Sequence, residues 1–218
     1  MTPARIVVPM KPLADAKSRL RGALPDDQRR LLSLAMLSHV LQTATAFPGA
    51  EVEVVGGDAD VRAACRRAGA RFATDTTADL NACLRGAFGS THGAHVEGDG
   101  APRSVLFLPA DLPLVEPSDL DALAAPLESG RVLAIAPDRH NAGTNALAIR
   151  PPAKFELSMG ESSFVRHLAA LAAGGTSYAI VRSPGLGLDI DSPADLDLLL
   201  RSRPDWWDHA RSLVAGPA

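Results

Sequence analysis

The sequence is as informative in what it lacks as in what it holds. Its 218 residues include two cysteines, Cys65 and Cys83. Both fall in Ala-rich stretches of helical pattern without CxxC spacing, which argues against a disulfide framework and for thiols in a reducing compartment. No apolar run approaches the ~18 residues of a membrane-spanning helix. The opening "MTPARIVVPM" has no long apolar core of the signal-peptide kind, so a cytoplasmic protein is expected. With a formal net charge of −3, no broad basic field marks nucleic acid or an anionic membrane as a partner. The loop after the first apolar run contains no glycine. That excludes a Walker P-loop and a GxGxxG fingerprint, and with them the kinases and NAD enzymes built on those motifs.

What is present has the composition of a soluble globular protein, 46% hydrophobic and 22% charged residues, at a length that supports one substantial core. Strands and helices take turns. "RIVVPM" is a short continuous apolar run, as in a strand buried on both faces. Residues 26–46 have helical periodicity behind Pro25, with acids in the first turn. "EVEVVG" and "ARFATD" read as strands around a helix closed by Gly69, and "ADLNACLRGAF" as the next helix. The stretch Gly89 to Gly100 is polar and Gly-rich, a surface loop. "SVLFLPADLPLV" is the most apolar strand and is expected at the centre of the sheet. A helix from Pro117, strands "VLAIAPD" and "NALAIR", a helix from Phe164 to Ala173, strand "SYAIV" and a final helix complete the order. Alternation of this kind predicts an α/β fold with a mostly parallel sheet and helices on both faces. The short gap between "VLAIAPD" and "NALAIR" predicts one antiparallel excursion. One domain over residues 1–203 is expected, with 204–218 as a tail. There Trp206 and Trp207 form a short helix packing on the domain or, in a homodimer, on a second copy.

Ligands of such folds lie beyond the carboxyl ends of the strands. Asp111 stands there in "LPADLPLV". Asp189 and Asp191 stand two apart in "LGLDID"; as a strand, that segment turns both carboxylates to one face. Acids so placed repel unless a cation or proton intervenes. Helix capping requires neither, because Ser192, Pro193 and Asp195 already supply an N-cap, an N1 proline and an acidic N3 partner. Oxygen ligands without nearby His or Cys favour Mg²⁺ or Mn²⁺. "PMKPLADAKSRLRG" adds Lys11, Lys17, Arg19 and Arg21. Arg19 has the i, i+4 spacing to pair with Asp15 on a helix surface. Met10 and Lys11 sit at the first strand's end, where a cation fits a nucleotide polyphosphate. His92 and His95 read as surface-loop residues, and His140 and Asn141 either as an exposed pair or as contacts to a substrate hydroxyl.

Together "VPMKPLADAKSRL", "LNACLRGA", "LPADLPLV", "PDRHNAGTNALAI", "FELSMGESSFVRHL" and "LDIDSPADL" resemble 2-phospho-L-lactate guanylyltransferase and its relatives that use phosphoenolpyruvate or 3-phosphoglycerate, enzymes of coenzyme F-420 biosynthesis. The likeness runs from about Arg5 to Leu200. More broadly the chain is similar to nucleotidyltransferases of the Rossmann-like GT-A fold, whose Gly-rich loop ends in Pro-Lys; here the glycines are absent and Lys17 takes that lysine's place. The resemblance assigns Asp111, Asp189 and Asp191 to a divalent metal, Asn81 to the nucleotide pocket, and Thr144, Gly160 and Ser163 to the phospho-acid. Ser162 and Ser163 also open a helix, whose N–H groups can receive an anion or be capped by the serines themselves.

The implied reaction moves GMP from GTP to the phosphate of a three-carbon phospho-acid and releases pyrophosphate. The metal, Mg²⁺ or Mn²⁺, would neutralise the approaching phosphates, with Lys11 and Lys17 on the β- and γ-phosphates. The acceptor phosphate is already ionised, so no general base is needed. A downstream transferase that takes up an unstable product is an expected partner. Two other readings stand beside this one: nucleotidyl transfer to another acceptor, such as molybdopterin or a sugar phosphate, and a domain that binds a nucleotide without turnover.

Overall fold

The computed structural model describes residues 4–75, 77, 79–89, 104–151, 153 and 155–215. Among them a seven-stranded sheet has the order β3-β2-β1-β4-β6-β5-β7. The strands are β1 (Ala4–Pro9), β2 (Ala50–Val55), β3 (Arg71–Ala73), β4 (Ser104–Phe107), β5 (Leu133–Pro137), β6 (Thr144–Ile149) and β7 (Tyr178–Ile180). All pairings are parallel except those of β6, which runs antiparallel to β4 and β5. The expected excursion is therefore β6, and β4 is central as its apolar run predicts.

The continuous apolar runs follow from burial on both faces. In β1, Ile6 and Val8 join a cluster with α1 (Asp26–Ala46), α2 (Ala59–Ala68) and α4 (Pro117–Glu128). Val7 points the other way, to a cluster with Leu84 of α3 (Leu80–Gly89) and with Phe164 and Leu171 of α5 (Ser163–Ala173). α1 is buried on a second side as well. Its Leu32, Ala35 and Met36 pack against α7 (Pro193–Ser202) and α8 (Trp206–Ala215), where Trp206 is fully buried. Trp206, Ala210 and Leu213 of the tail thus pack within the chain.

Gly69, Ser192, Pro193 and Asp195 act as expected, and Asp58 adds a cap of its own. Asp58 caps α2 by accepting the Asp60 and Val61 N–H groups, and Gly69 closes that helix at φ 73°. Ser192 and Asp195 form the capping box of α7, with Pro193 at its start. "LGLDID" departs from expectation. Pro184 and the Ser183 hydroxyl, which accepts the Leu186 N–H, start a helical turn instead, α6 (Pro184–Gly187). Residues 188–191 follow as a segment outside the sheet, tied to the turn beyond β4 by the Ile190 N–H donating to the Asp111 carbonyl. The segment keeps the alternation of a strand, with Leu188 and Ile190 buried and Asp189 and Asp191 partly exposed. The Gly-rich stretch beyond Gly89, with His92 and His95, lies outside the described residues, as does the Cys83 side chain.

Candidate active site

β1, β4 and β5 end at one edge of the sheet, and antiparallel β6 begins there. The loop after β1 is tied down from two sides. Leu13 N–H donates to Asp58 Oδ2 at 2.9 Å, and the buried Arg29 guanidinium donates to the Ala16 carbonyl at 3.2 Å. Between these tethers and a single 3-10 turn at Ser18–Leu20, Lys17 adopts a left-handed backbone, φ 52° and ψ 40°, an uncommon state for a residue with a long side chain. That geometry sends the ammonium inward, where it lies 2.5 Å from Asp111 Oδ2 and 3.0 Å from Asp191 Oδ1. Arg19 reaches Asp191 Oδ2 at 3.2 Å. The i, i+4 pairing of Arg19 with Asp15 is not formed, since a 3-10 turn and not an α-helix follows Lys17.

Asp111 lies in the turn beyond β4, and its carbonyl accepts the Ile190 N–H at 3.3 Å. This bond joins the turn to the 188–191 segment. Asp191 is held through its backbone: its N–H donates to Asp195 Oδ2 at 3.2 Å, while Arg139 donates twice to Asp195 Oδ1, at 3.1 and 2.6 Å. Asp189 accepts from Asn145 Nδ2 at 3.1 Å, and the same amide donates to the Leu186 carbonyl at 2.9 Å. The capping role of Asp195 is the expected one; its hold on the Asp191 N–H and on Arg139, and the part played by Asn145, are additional. Asn145 is inside "AGTNAL", but nothing in the sequence brings it to residue 189.

The electrostatics follow from this packing. Burial alone would depress the Lys17 ammonium; the charges of Asp111 and Asp191 outweigh it and hold the pKa above its ordinary value. Burial first, then the charge of Asp111, pushes the Asp189 carboxyl up to about 6, against the Asn145 hydrogen bond. An oxygen-only donor set carrying such repulsion suits a hard divalent cation. As the side chains stand, among the described residues no group of three His, Cys, Asp or Glu is gathered to hold one, and the cation between Asp111 and Asp191 is the Lys17 ammonium.

The other expected residues have contacts of their own. Met10 is half-buried; its N–H donates to the Val55 carbonyl at 2.9 Å, and its own carbonyl packs so close to Gly56 that a Cβ there would overlap it. Lys11 is exposed and forms no ion pair among the described residues. Asn81 is a clamp: Oδ1 accepts Met159 N–H at 2.6 Å and Nδ2 donates to Met159 O at 3.3 Å. Gly160 turns the chain at φ 115°, a value that favours glycine. Thr144 and Ser163 are joined, Ser163 Oγ accepting the Thr144 N–H at 2.9 Å. The start of α5 is not a free anion site, since Ser163 N–H donates to Gly160 O and Phe164 N–H to Ala142 O. Ser162 makes no side-chain cap. Asn141, at φ 56°, accepts from Arg182, and His140 is exposed. A cavity of about 340 Å³ lies behind the 188–191 segment, lined by Leu114, Arg139, Asn141, Arg182, Leu188 and Leu198 among others. None of the carboxylates bound by Lys17 lines it.

The family model described as "Guanylyl transferase CofC like" matches residues 4–204. This chain belongs to the CofC-like guanylyltransferases. Among the relatives of this guanylyltransferase, the phosphoenolpyruvate guanylyltransferase of Sphaerobacter thermophilus is 39% identical over 199 residues, 91% of this chain and 93% of the relative. That of Rubrobacter xylanophilus is 39% identical over 190 residues, 87% and 90% of the two chains. Among solved structures, a putative nucleotide-diphospho-sugar transferase from Desulfovibrio desulfuricans superposes on the CofC-like chain with a TM-score of 0.75 at 16% identity, covering 99% of this chain and 94% of the other. A glucosyl-3-phosphoglycerate synthase from Mycobacterium tuberculosis, in complex with Mn²⁺, UDP and phosphoglyceric acid, superposes with a TM-score of 0.61 at 14% identity, over 100% and 80%. These likenesses place the CofC-like sheet in the GT-A, Rossmann-like group of α/β folds. No helix among the described residues is long and apolar enough to cross a membrane.

Proposed function

We propose that this guanylyltransferase moves GMP from GTP to the phosphate of phosphoenolpyruvate, or of 2-phospho-L-lactate or 3-phosphoglycerate, and releases pyrophosphate. A phosphate oxygen of the acid forms the new bond to the α-phosphorus as the bond to the β-phosphate oxygen breaks. The nucleophile is ionised at neutral pH, so the chain's task is to gather and neutralise negative charge. The observation that carries this reading is the buried ammonium of Lys17 bridging Asp111 and Asp191 where the parallel strands end.

Lys17, and Lys11 at the mouth, would bind the β- and γ-phosphates and stabilise the leaving pyrophosphate. Met10 carries Lys11 at the strand end, and Asn81 would border the nucleotide by fixing the loop at Met159. Thr144, Gly160 and Ser163 would receive the phospho-acid. Asp111, Asp189 and Asp191 would hold Mg²⁺ or Mn²⁺. When bound, such an ion supplies charge neutralisation between the two substrates' phosphates. We infer further that residues 1–203 form one catalytic domain in the cytoplasm with 204–218 as its packing tail, and that this domain, alone or as a homodimer, hands its product to a downstream transferase.

The test is pyrophosphate release at one GTP concentration with each of the three acids, followed by ³¹P NMR of the product. A phosphoanhydride between GMP and the acid, formed only when divalent ions are present, is the expected result. Turnover with CTP or a sugar phosphate, and none with any three-carbon acid, would replace this reading.

A further inference from the structure

Thr144 and Asn145 are neighbours in β6, so their side chains leave opposite faces of the sheet. Asn145 serves the carboxylates. Thr144 faces α5 and meets His167, a fully buried histidine of that helix to which no role in transfer is yet given. We propose that His167 is a positioning residue for the acceptor: it makes the Thr144 hydroxyl a hydrogen-bond donor, so that Thr144 and Ser163 together present two O–H groups to an anionic group of the phospho-acid.

The polarity follows from what each atom is able to do. His167 Nε2 lies 2.9 Å from the Ser158 backbone N–H. An amide N–H only donates, so Nε2 carries the lone pair. The proton of the neutral ring is then on Nδ1, which lies 2.9 Å from Thr144 Oγ1 and donates to it. Burial, helped by the nearby Arg166 charge, pushes the His167 pKa down to about 4, so the neutral ring persists at neutral pH. The Phe155 ring, 5.1 Å away centroid to centroid, covers it. Thr144 Oγ1 has thus accepted a hydrogen bond and still holds its own hydrogen. Ser163 Oγ is in the same position, having accepted from the Thr144 N–H. Neither hydroxyl hydrogen meets an acceptor among the described residues. Two buried hydroxyl hydrogens without a partner among the described residues call for an acceptor, and a carboxylate or phosphate oxygen is one that cannot donate in return.

His167 is itself well supported. Ser158 and Met159 carbonyls accept from Arg166, and Asn81 clamps Met159 from α3. The tautomer is thereby fixed by backbone that is held on two sides.

The inference rests on the reading of Thr144 and Ser163 as acceptor contacts, and the tests separate the two. Long-range ¹H–¹⁵N correlation on the ¹⁵N-labelled protein between pH 6.5 and 8 should show His167 with a protonated Nδ1 and an unprotonated Nε2. An Nε2–H tautomer or an imidazolium overturns the proposal and leaves the acceptor reading standing. His167→Leu should raise KM for phosphoenolpyruvate by about tenfold or more with KM for GTP unchanged. His167→Gln keeps an acceptor for Ser158 and a donor for Thr144, and should stay within about threefold. Equal rises in both KM values in a folded His167→Leu protein would contradict a positioning role. Thr144→Val should raise the same KM; an unchanged value overturns the acceptor reading and the proposal with it. If His167→Leu does not fold, the tautomer measurement on the wild type still decides.

Discussion

Lys17 places its ammonium 2.5 Å from Asp111 Oδ2 from a backbone at φ 52°. The strained residue and the residue that neutralises the carboxylates are the same one, which separates two properties that mutation usually confounds. Lys17→Gly removes the charge and also relieves the left-handed strain, whereas Lys17→Ala removes the charge alone. The glycine variant should therefore be more stable than the alanine variant by about 1 kcal/mol, by chemical denaturation. Both should lose pyrophosphate release by about 100-fold or more.

Asp58 joins a helix cap to the loop after β1. It caps α2 and accepts the Leu13 N–H. Asp58→Ala should cost about 0.5–2 kcal/mol of stability and raise KM for GTP, as the loop carrying Lys11 and Lys17 loses one tether. Asp58→Asn keeps an acceptor oxygen and should recover most of the stability. Thermal unfolding and GTP kinetics on both variants check this.

His167 gives stability a signed pH dependence. Its pKa falls from 6.5 to about 4 on folding, so between those values the unfolded chain binds the extra proton. The contribution is complete above about pH 6.5 and is lost as pH falls towards 4, by up to about 3 kcal/mol. Asp58 and Asp195, both held below the usual carboxylate range by hydrogen bonds that outweigh burial, add their own loss at lower pH. The readout is accordingly the difference between wild type and His167→Gln, which should narrow from pH 6.5 to 4 under urea denaturation.

Trp206 is fully buried against α1, yet its Nε1 has no hydrogen-bond partner among the described residues. Trp206→Ala should cost about 3–5 kcal/mol. Trp206→Phe discards an unsatisfied donor and keeps most of the ring, so its loss should be much smaller. Melting temperatures of the two variants decide it.

Much of this fold could be read from local pattern. β1 is apolar from Ile6 to Pro9 because Ile6 and Val8 face one cluster and Val7 the other, and the start of α1 follows from Pro25 and the acids behind it. The capping box of Ser192 and Asp195 was legible because its partners are three residues apart. What was not legible depends on contacts distant in sequence. Asp189 and Asp191 look like strand residues, yet their segment joins no strand of the sheet and is placed by the bond from the Ile190 N–H to the Asp111 carbonyl, 79 residues away in sequence. Arg19 has an acid four residues away and instead binds one 172 residues away. His167 looks like a core histidine on an apolar helix face; its importance comes from Ser158 and Thr144, which approach its two nitrogens from different segments.

Guanylyl transfer is expected where Lys17 meets the aspartates, and Asp111→Ala removes one of them. The measurement is pyrophosphate release from GTP and phosphoenolpyruvate with Mg²⁺, on protein whose cooperative unfolding is shown to be intact. A folded variant with release reduced about 100-fold or more is the expected result. A folded variant turning over near the wild-type rate would contradict it.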